Sequence, residues 1–234
     1  MGITITGLNA IRRDLREAGN SEKARILQRF FKTGEGEYGQ GDVFLGVTVP
    51  ESRKIAQKYG DLSFPDVKAL LDSKIHEERL VAILLLVHAF QRGDEKRVVD
   101  FYLSHTKKIN NWDLVDLSAD KILGAYLLSK KKDVLYKLAK SDNIWERRIS
   151  IVSTYSFIKN GKFDDVLKIS ELLLDDMHDL IHKAGGWMLR EVGKRNQAVE
   201  EGFLKRHYLR MPRTMLRYAI ERLPESKKRV YMRK

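Results

Sequence analysis

The chain contains no cysteine, so disulfides, thiolate zinc sites and thiol nucleophiles are excluded. Proline is scarce, four in 234 residues, which leaves room for long helices. The longest apolar run, Leu80 to Val87, is too short to span a bilayer. Between Met1 and Arg13 there is no charged-then-apolar signal pattern, and no Gly-Lys-Ser/Thr follows the glycine-rich stretch Gly34–Gly41. HExxH, Gly-x-Ser-x-Gly and dinucleotide fingerprints are also missing. His178 and His182 lie one helical turn apart beside Asp179, but a third metal ligand is not in evidence. The expectation is a soluble cytoplasmic protein, nucleoid-associated in a prokaryote, with no metal, no cofactor and no membrane partner.

What is present is positive charge. Lys and Arg total 44 against 32 Asp and Glu, a net charge of +12. Such an excess points to a polyanionic partner, nucleic acid or an anionic membrane surface.

Leu8, Ile11, Leu15, Ile26, Leu27 and Phe30 recur at helical spacing and predict one or two amphipathic helices over residues 3–32. Gly34–Gly41 breaks that pattern as a mobile surface loop. Thr48 and Glu51 then have the spacing of a capping box, with Pro50 tolerated in the first turn. The helix they open carries Arg53, Lys54 and Lys58, cations that suit either a phosphate or a solvated face.

From about residue 64 the chain repeats. Turns at Leu71–Ile75, Ala139–Asn143, Asp175–Asp179 and Met211–Arg213 each run into a helix, and Arg79, Arg147, Lys183 and Arg217 take matching places after them. The separations are 68 (147 − 79), 36 (183 − 147) and 34 (217 − 183), so one further unit lies in the first gap. A period of this size, with two helices per unit, predicts an all-α protein: an α-solenoid of helical repeats forming a single domain over 1–234, with a concave face lined by one cation per repeat.

Helical faces select further residues. After Asp179, Ile181, Gly185, Met188 and Val192 form an apolar stripe, while Lys183, Trp187, Arg190 and Lys194 form a second stripe among which an indole is out of place. The pair Gly185-Gly186 permits close approach of a backbone or a ligand. After Asn143, Arg148 lies on a line with Ile144, Ile151, Val152 and Tyr155, and such an Arg needs a partner, either an internal carboxylate or a phosphate. Trp145 suits the core. At mid-chain, Trp112, Val115, Ala119, Ile122 and Tyr126 read as the apolar stripe of one continuous helix, with Asp113, Asp116 and Asp120 beside it. Trp112 and Asp116, at i and i+4, share a face. Spacing alone suits a core Trp with a surface Asp as well as a paired functional site. A border carboxylate is open to a shift in either direction, up by desolvation or down by a nearby Arg.

Four segments, in this order, resemble the AlkD-like DNA alkylation-repair glycosylases, a family built of HEAT-like repeats: Phe44-Leu45-Gly46-Val47 with Pro50-Glu51, Trp112 to Asp116, Ser141 to Arg148, and Gly186 to Glu191. The resemblance implies a monofunctional, metal-independent hydrolase that cleaves the N-glycosidic bond of cationic N3- and N7-alkylated purines in double-stranded DNA. It implies Asp116 as the catalytic carboxylate, Trp112 and Trp187 on the deoxyribose, and Arg148 on the backbone phosphate. Arg147, Lys183, Arg190, Lys194 and Arg217 complete the candidate DNA-binding set. A monomer with no obligate protein partner suffices. Two other readings use the same charge without Asp116: a non-catalytic repeat scaffold that binds nucleic acid, and a protein-interaction scaffold whose charge aids solubility.

Overall fold

The computed structural model describes residues 7–233. Met1 to Thr6, where the first expected helix begins, and Lys234 lie outside the described residues. By packing, the chain groups into two compact units, Met1–Ser118 and Ala119–Lys234.

The first unit contains α1 (Gly7–Glu17), α2 (Ser21–Phe30), α3 (Val49–Lys58), α4 (Phe64–Leu71), α5 (His76–Gln91), α6 (Glu95–Ser104) and the short α7 (Trp112–Asp116). Its centre is α5, whose run Leu80 to Val87 is buried on every side. Helices α3, α4 and α6 pack around it because an all-round apolar helix has no face to give to water. Ile11 and Leu15 of α1 are fully buried, as their spacing predicts. Ile26 and Phe30 of α2 are exposed instead, and α2 anchors itself through Ala24 and, just past its end, Phe31.

The start of α3 follows local sequence chemistry: the Glu51 carboxylate accepts from the Thr48 amide at 3.0 Å and from its hydroxyl at 2.7 Å. The stretch Gly34–Gly41 is a succession of hydrogen-bonded turns. The Gly34 amide donates to the Glu37 carboxylate and the Gly39 amide to the Lys32 carbonyl. It leads into one isolated parallel bridge between Val43 and Ile75, and no strand exists among the described residues.

The second unit begins with a π-helical turn, Asp120–Gly124, running into α8 (Ala125–Leu127). There follow α9 (Asp133–Ala139), α10 (Ile144–Lys159), α11 (Asp164–Leu172), α12 (Asp179–Gly193), α13 (Gln197–His207), α14 (Arg213–Ala219) and α15 (Glu225–Met232). Here α10 is the central, all-round buried helix, with α9, α11 and α12 against it and α13 and α14 against α12. Trp145 is buried in it, as expected. Gly186 is a point of close helix approach: a Cβ there would lie 2.4 Å from the Met215 carbonyl oxygen, so α14 takes the space that the glycine leaves. The architecture is all-α, an α-solenoid of stacked helical hairpins.

One expectation needs correction. Trp112 to Tyr126 is not one helix. The α7 ladder ends with the Leu117 amide on the Asp113 carbonyl, and the Gly124 amide then reaches the Ala119 carbonyl, five residues back. The stripe assumed for a continuous helix is therefore interrupted at the point where the two units divide.

Candidate functional site

The five residues of α7 are too few to hold a helix on their own. Asn111 caps it, its side-chain oxygen accepting from the Trp112 amide at 2.8 Å. Trp112 is the first helical residue and Asp116 the last, one turn apart on the same face, and both are half-buried. The Trp112 ring stacks on Phe31 at 5.0 Å with an interplanar angle of 7°, and Phe30 meets it edge-on at 5.9 Å. The indole is thus anchored on one side in the apolar cluster of Phe31, Phe44 and Ala24 and keeps its remaining surface accessible.

Beneath α7 lies a buried polar network that sequence reasoning did not find. His76 Nε2 is 2.7 Å from an Asp113 oxygen, and its Nδ1 is 3.3 Å from Asp42. The same Asp42 oxygen pairs with Arg79 at 2.5 Å and accepts from the Asn111 amide group at 3.5 Å. Burial works against a charged imidazole here, but the charge and hydrogen bond of Asp113, with the bond to Asp42, more than offset it and push His76 up to about 9. Burial also works to raise Asp42, yet His76 and Arg79 hold that carboxyl below its usual value. The bridge at Val43 explains the encounter: the His76 amide donates to the Val43 carbonyl at 2.8 Å, which sets Asp42 alongside the head of α5.

The next residue of α5 accounts for the Phe44–Val47 segment. The buried Glu77 carboxylate accepts from the backbone amides of Leu45, Gly46 and Val47 at 2.8–3.2 Å. Gly46 has φ of +84°, and a Cβ there would sit 2.1 Å from the Asn20 carbonyl oxygen, so only glycine fits this nest. A cavity of about 280 Å³ opens between α2, this segment and the head of α5, lined by Phe31, Phe44, His76, Glu77, Leu80 and Asp113 among others.

In the second unit, Trp187 is half-buried beside Tyr155, ring centroids 6.0 Å apart, and Lys159 and Arg195 approach the Tyr155 ring at 4.8 and 5.8 Å. Arg148 is 5% exposed and donates to the Leu180 carbonyl, so its place on an apolar line does reflect burial. Arg147 is bound by Asp176 at 2.6 Å and by the Ser141 and Asp142 carbonyls. Lys183 pairs with Asp179 at 2.8 Å, Lys194 with Glu191 at 2.6 Å, and Arg190 with Glu221. Arg217 is exposed. His178 Nδ1 accepts from the Leu180 amide, and His182 Nε2 lies against the Asp176 carbonyl. No group of three or more His, Cys, Asp or Glu suited to a metal occurs among the described residues.

The structure also corrects the repeat register. Arg79 and Arg147 each stand four residues past the helix N-cap, Ile75 and Asn143, and each donates to the carbonyl of a serine six residues back, Ser73 and Ser141. Those serines in turn accept from the N-cap amides. At α12 the N-cap is His178, Asp176 takes the serine's place, and the residue reaching back to its carbonyl is His182, not Lys183. Lys183, Arg217, Arg148 and Asp116 all fall five past their caps. Aligning like charges thus misplaced the last two repeats by one residue.

These features define an all-α helical-repeat protein with an aromatic–carboxylate pair on a tethered short helix. The family model for DNA alkylation repair enzymes matches residues 11–223, and the chain belongs to that family. It shares its fold with a solved structure from Enterococcus faecalis described as a predicted DNA alkylation repair enzyme: TM-score 0.74, 22% identity, 88% of this chain and 97% of that one covered. No curated protein matches the sequence.

Proposed function

We propose that the protein is a DNA glycosylase that hydrolyses the N-glycosidic bond of cationic N3- and N7-alkylated purines in duplex DNA. The observation that carries this reading is the placement of Trp112 and Asp116, one turn apart and both half-buried on a helix that Asn111 caps, in a chain of the alkylation-repair family with net charge +12. An alkylated purine already bears positive charge, so it departs with the electron pair of the C1′–N bond and needs no general acid. Charge then develops on the sugar, as in glycoside hydrolysis. A fixed carboxylate at Asp116 stabilises it, and the indole faces of Trp112 and Trp187 add cation–π attraction. Water adds to C1′, loses its proton toward Asp116, and leaves an abasic site and a free base.

Arg148 is the proposed phosphate ligand. Of the other candidate cations, Arg147, Lys183, Arg190 and Lys194 are each paired with a carboxylate, so their attraction to phosphate competes with an internal partner. Among the described residues, no carboxylate forms an ion pair with the exposed Arg217. Duplex DNA carrying alkylated bases is the proposed partner, met by a monomer in the cytoplasm or nucleoid.

The test is release of 7-methylguanine from methylated duplex DNA. The Asp116→Asn variant is expected to lose at least about a hundredfold in rate while binding DNA as the parent chain does. Base release undiminished in that variant rejects the assignment. A parent chain that binds DNA in a salt-dependent manner but releases nothing is the non-catalytic scaffold.

A further inference from the structure

We propose that His76, clamped between Asp42 and Asp113, is the positioning residue that sets Trp112 and, through α7, Asp116. The inference deepens the glycosylase reading and rests on it for its consequence in catalysis.

His76 is attached to α7 by two independent routes. One is polar: Nε2 to Asp113 at 2.7 Å, the residue next to Trp112 in the same helical turn. The other is aromatic: the imidazole stacks on Phe44 at 4.5 Å and 20°, Phe44 on Phe31 at 5.0 Å and 27°, and Phe31 on Trp112 at 5.0 Å and 7°. The routes close a ring, from His76 through Asp113 to Trp112 and back through Phe31 and Phe44. Asp42 draws a third connection to the helix, binding His76 at 3.3 Å and Asn111, the cap of α7, at 3.5 Å. Asp42, His76, Asn111 and Asp113 are all at most 6% exposed.

A five-residue helix has little intrinsic stability, so its position is decided by what holds it. Nothing in the network touches the proposed reacting atoms. It acts through the orientation of the indole and the carboxylate, and a small displacement there is costly in rate. The charged and titratable groups facing His76 are Asp42 from the loop, Asp113 from α7, and Glu77 and Arg79 from its own helix, with Lys23 of α2 lining the same cavity. Asp113 and Asp42 favour the imidazolium; Arg79 opposes it.

The experiment uses the full chain with Trp145→Phe and Trp187→Phe, which leaves Trp112 as the one fluorophore of its kind, and adds Asp113→Asn or His76→Gln. Acrylamide quenching of Trp112 is expected to rise at least about twofold in both, with far-UV circular dichroism unchanged. In chains that keep Trp187, the same two substitutions are expected to lower single-turnover base release at least about tenfold while affinity for undamaged duplex changes little. His76→Gln is expected to retain more activity than His76→Ala, because an amide still donates to Asp113.

Unchanged quenching of Trp112 in both folded variants overturns the inference. So does altered quenching with unaltered base release. Should neither variant fold, Trp112 emission in the single-tryptophan chain is followed from about pH 7 to 9.5. A transition as His76 loses its proton supports the clamp, and a flat profile overturns it. A parent chain that releases no base while its Trp112 responds to these substitutions fails the glycosylase reading and leaves the clamp intact.

Discussion

The heads of α5 and α10 are built on one plan and used differently. In each, a serine closes the preceding turn and an arginine four residues past the cap donates to that serine's carbonyl. At α5 the arginine is sealed, its side chain 5% exposed, and joins Asp42, His76 and Asp113 in a network enclosed by protein. At α10 the arginine meets Asp176 with its side chain 19% exposed. The local turn therefore does not decide whether the charge is buried. The chain that happens to cross it does: Asp42 arrives from the loop after α2, while Asp176 arrives from the turn before α12.

The difference is open to direct attack. Arg79→Ala leaves Asp42 buried without its guanidinium, and a loss of about 3–5 kcal/mol in stability is expected. Arg147→Ala removes a partner that water replaces in part, and about 1–2 kcal/mol is expected. Urea denaturation of the two variants side by side measures both, and equal losses would erase the contrast.

Next in size is a pH effect particular to the α5 head. His76 is raised from 6.5 to about 9, so the folded chain holds a proton that the unfolded chain releases. Its stabilising contribution is complete below about pH 6.5, declines as pH rises, and is gone above about 9, on the order of 3 kcal/mol in all. Denaturation at stepped pH reads the decline, and His76→Gln is expected to flatten it.

A pH effect of similar size comes from a buried acid that lacks such company. Glu200, at the start of α13, is 3% exposed, and one of its oxygens has no hydrogen-bond partner. Burial, then the neighbouring Glu201, raises it to about 8. The folded state keeps this carboxyl protonated, so stability falls as pH rises from about 4.5 through 8. Glu200→Gln is expected to stabilise the protein by on the order of 3 kcal/mol more near pH 8 than near pH 5. Thermal melts at the two values decide it.

Much of the second unit was legible in advance. The apolar stripe Ile181, Met188 and Val192 is buried, the Gly185-Gly186 pair admits α14, and Trp145 lies in the core. Arg148 is buried where its apolar line placed it. The Thr48–Glu51 box likewise opens α3. Each of these depends on residues within one or two helical turns. The Asp42–His76–Asp113 network joins residues 34 and 37 positions apart, and a lone histidine at a helix start carries no local sign of such partners. The break between α7 and α8 escaped for a related reason. A π-turn preserves the apolar residues that suggest a continuous helix, and Gly124, whose missing Cβ would meet the Ser153 carbonyl at 2.1 Å, reveals its purpose only against α10.

By itself the sequence determined that the protein is helical, repeating and cationic, and where most helices begin, because periodicity, capping and net charge are properties of neighbours along the chain. Tertiary structure alone decided which acids and bases are sealed together and which cations keep a carboxylate beside them. Those outcomes turn on desolvation and pairing, which exist only once distant segments have excluded water from the same small volume.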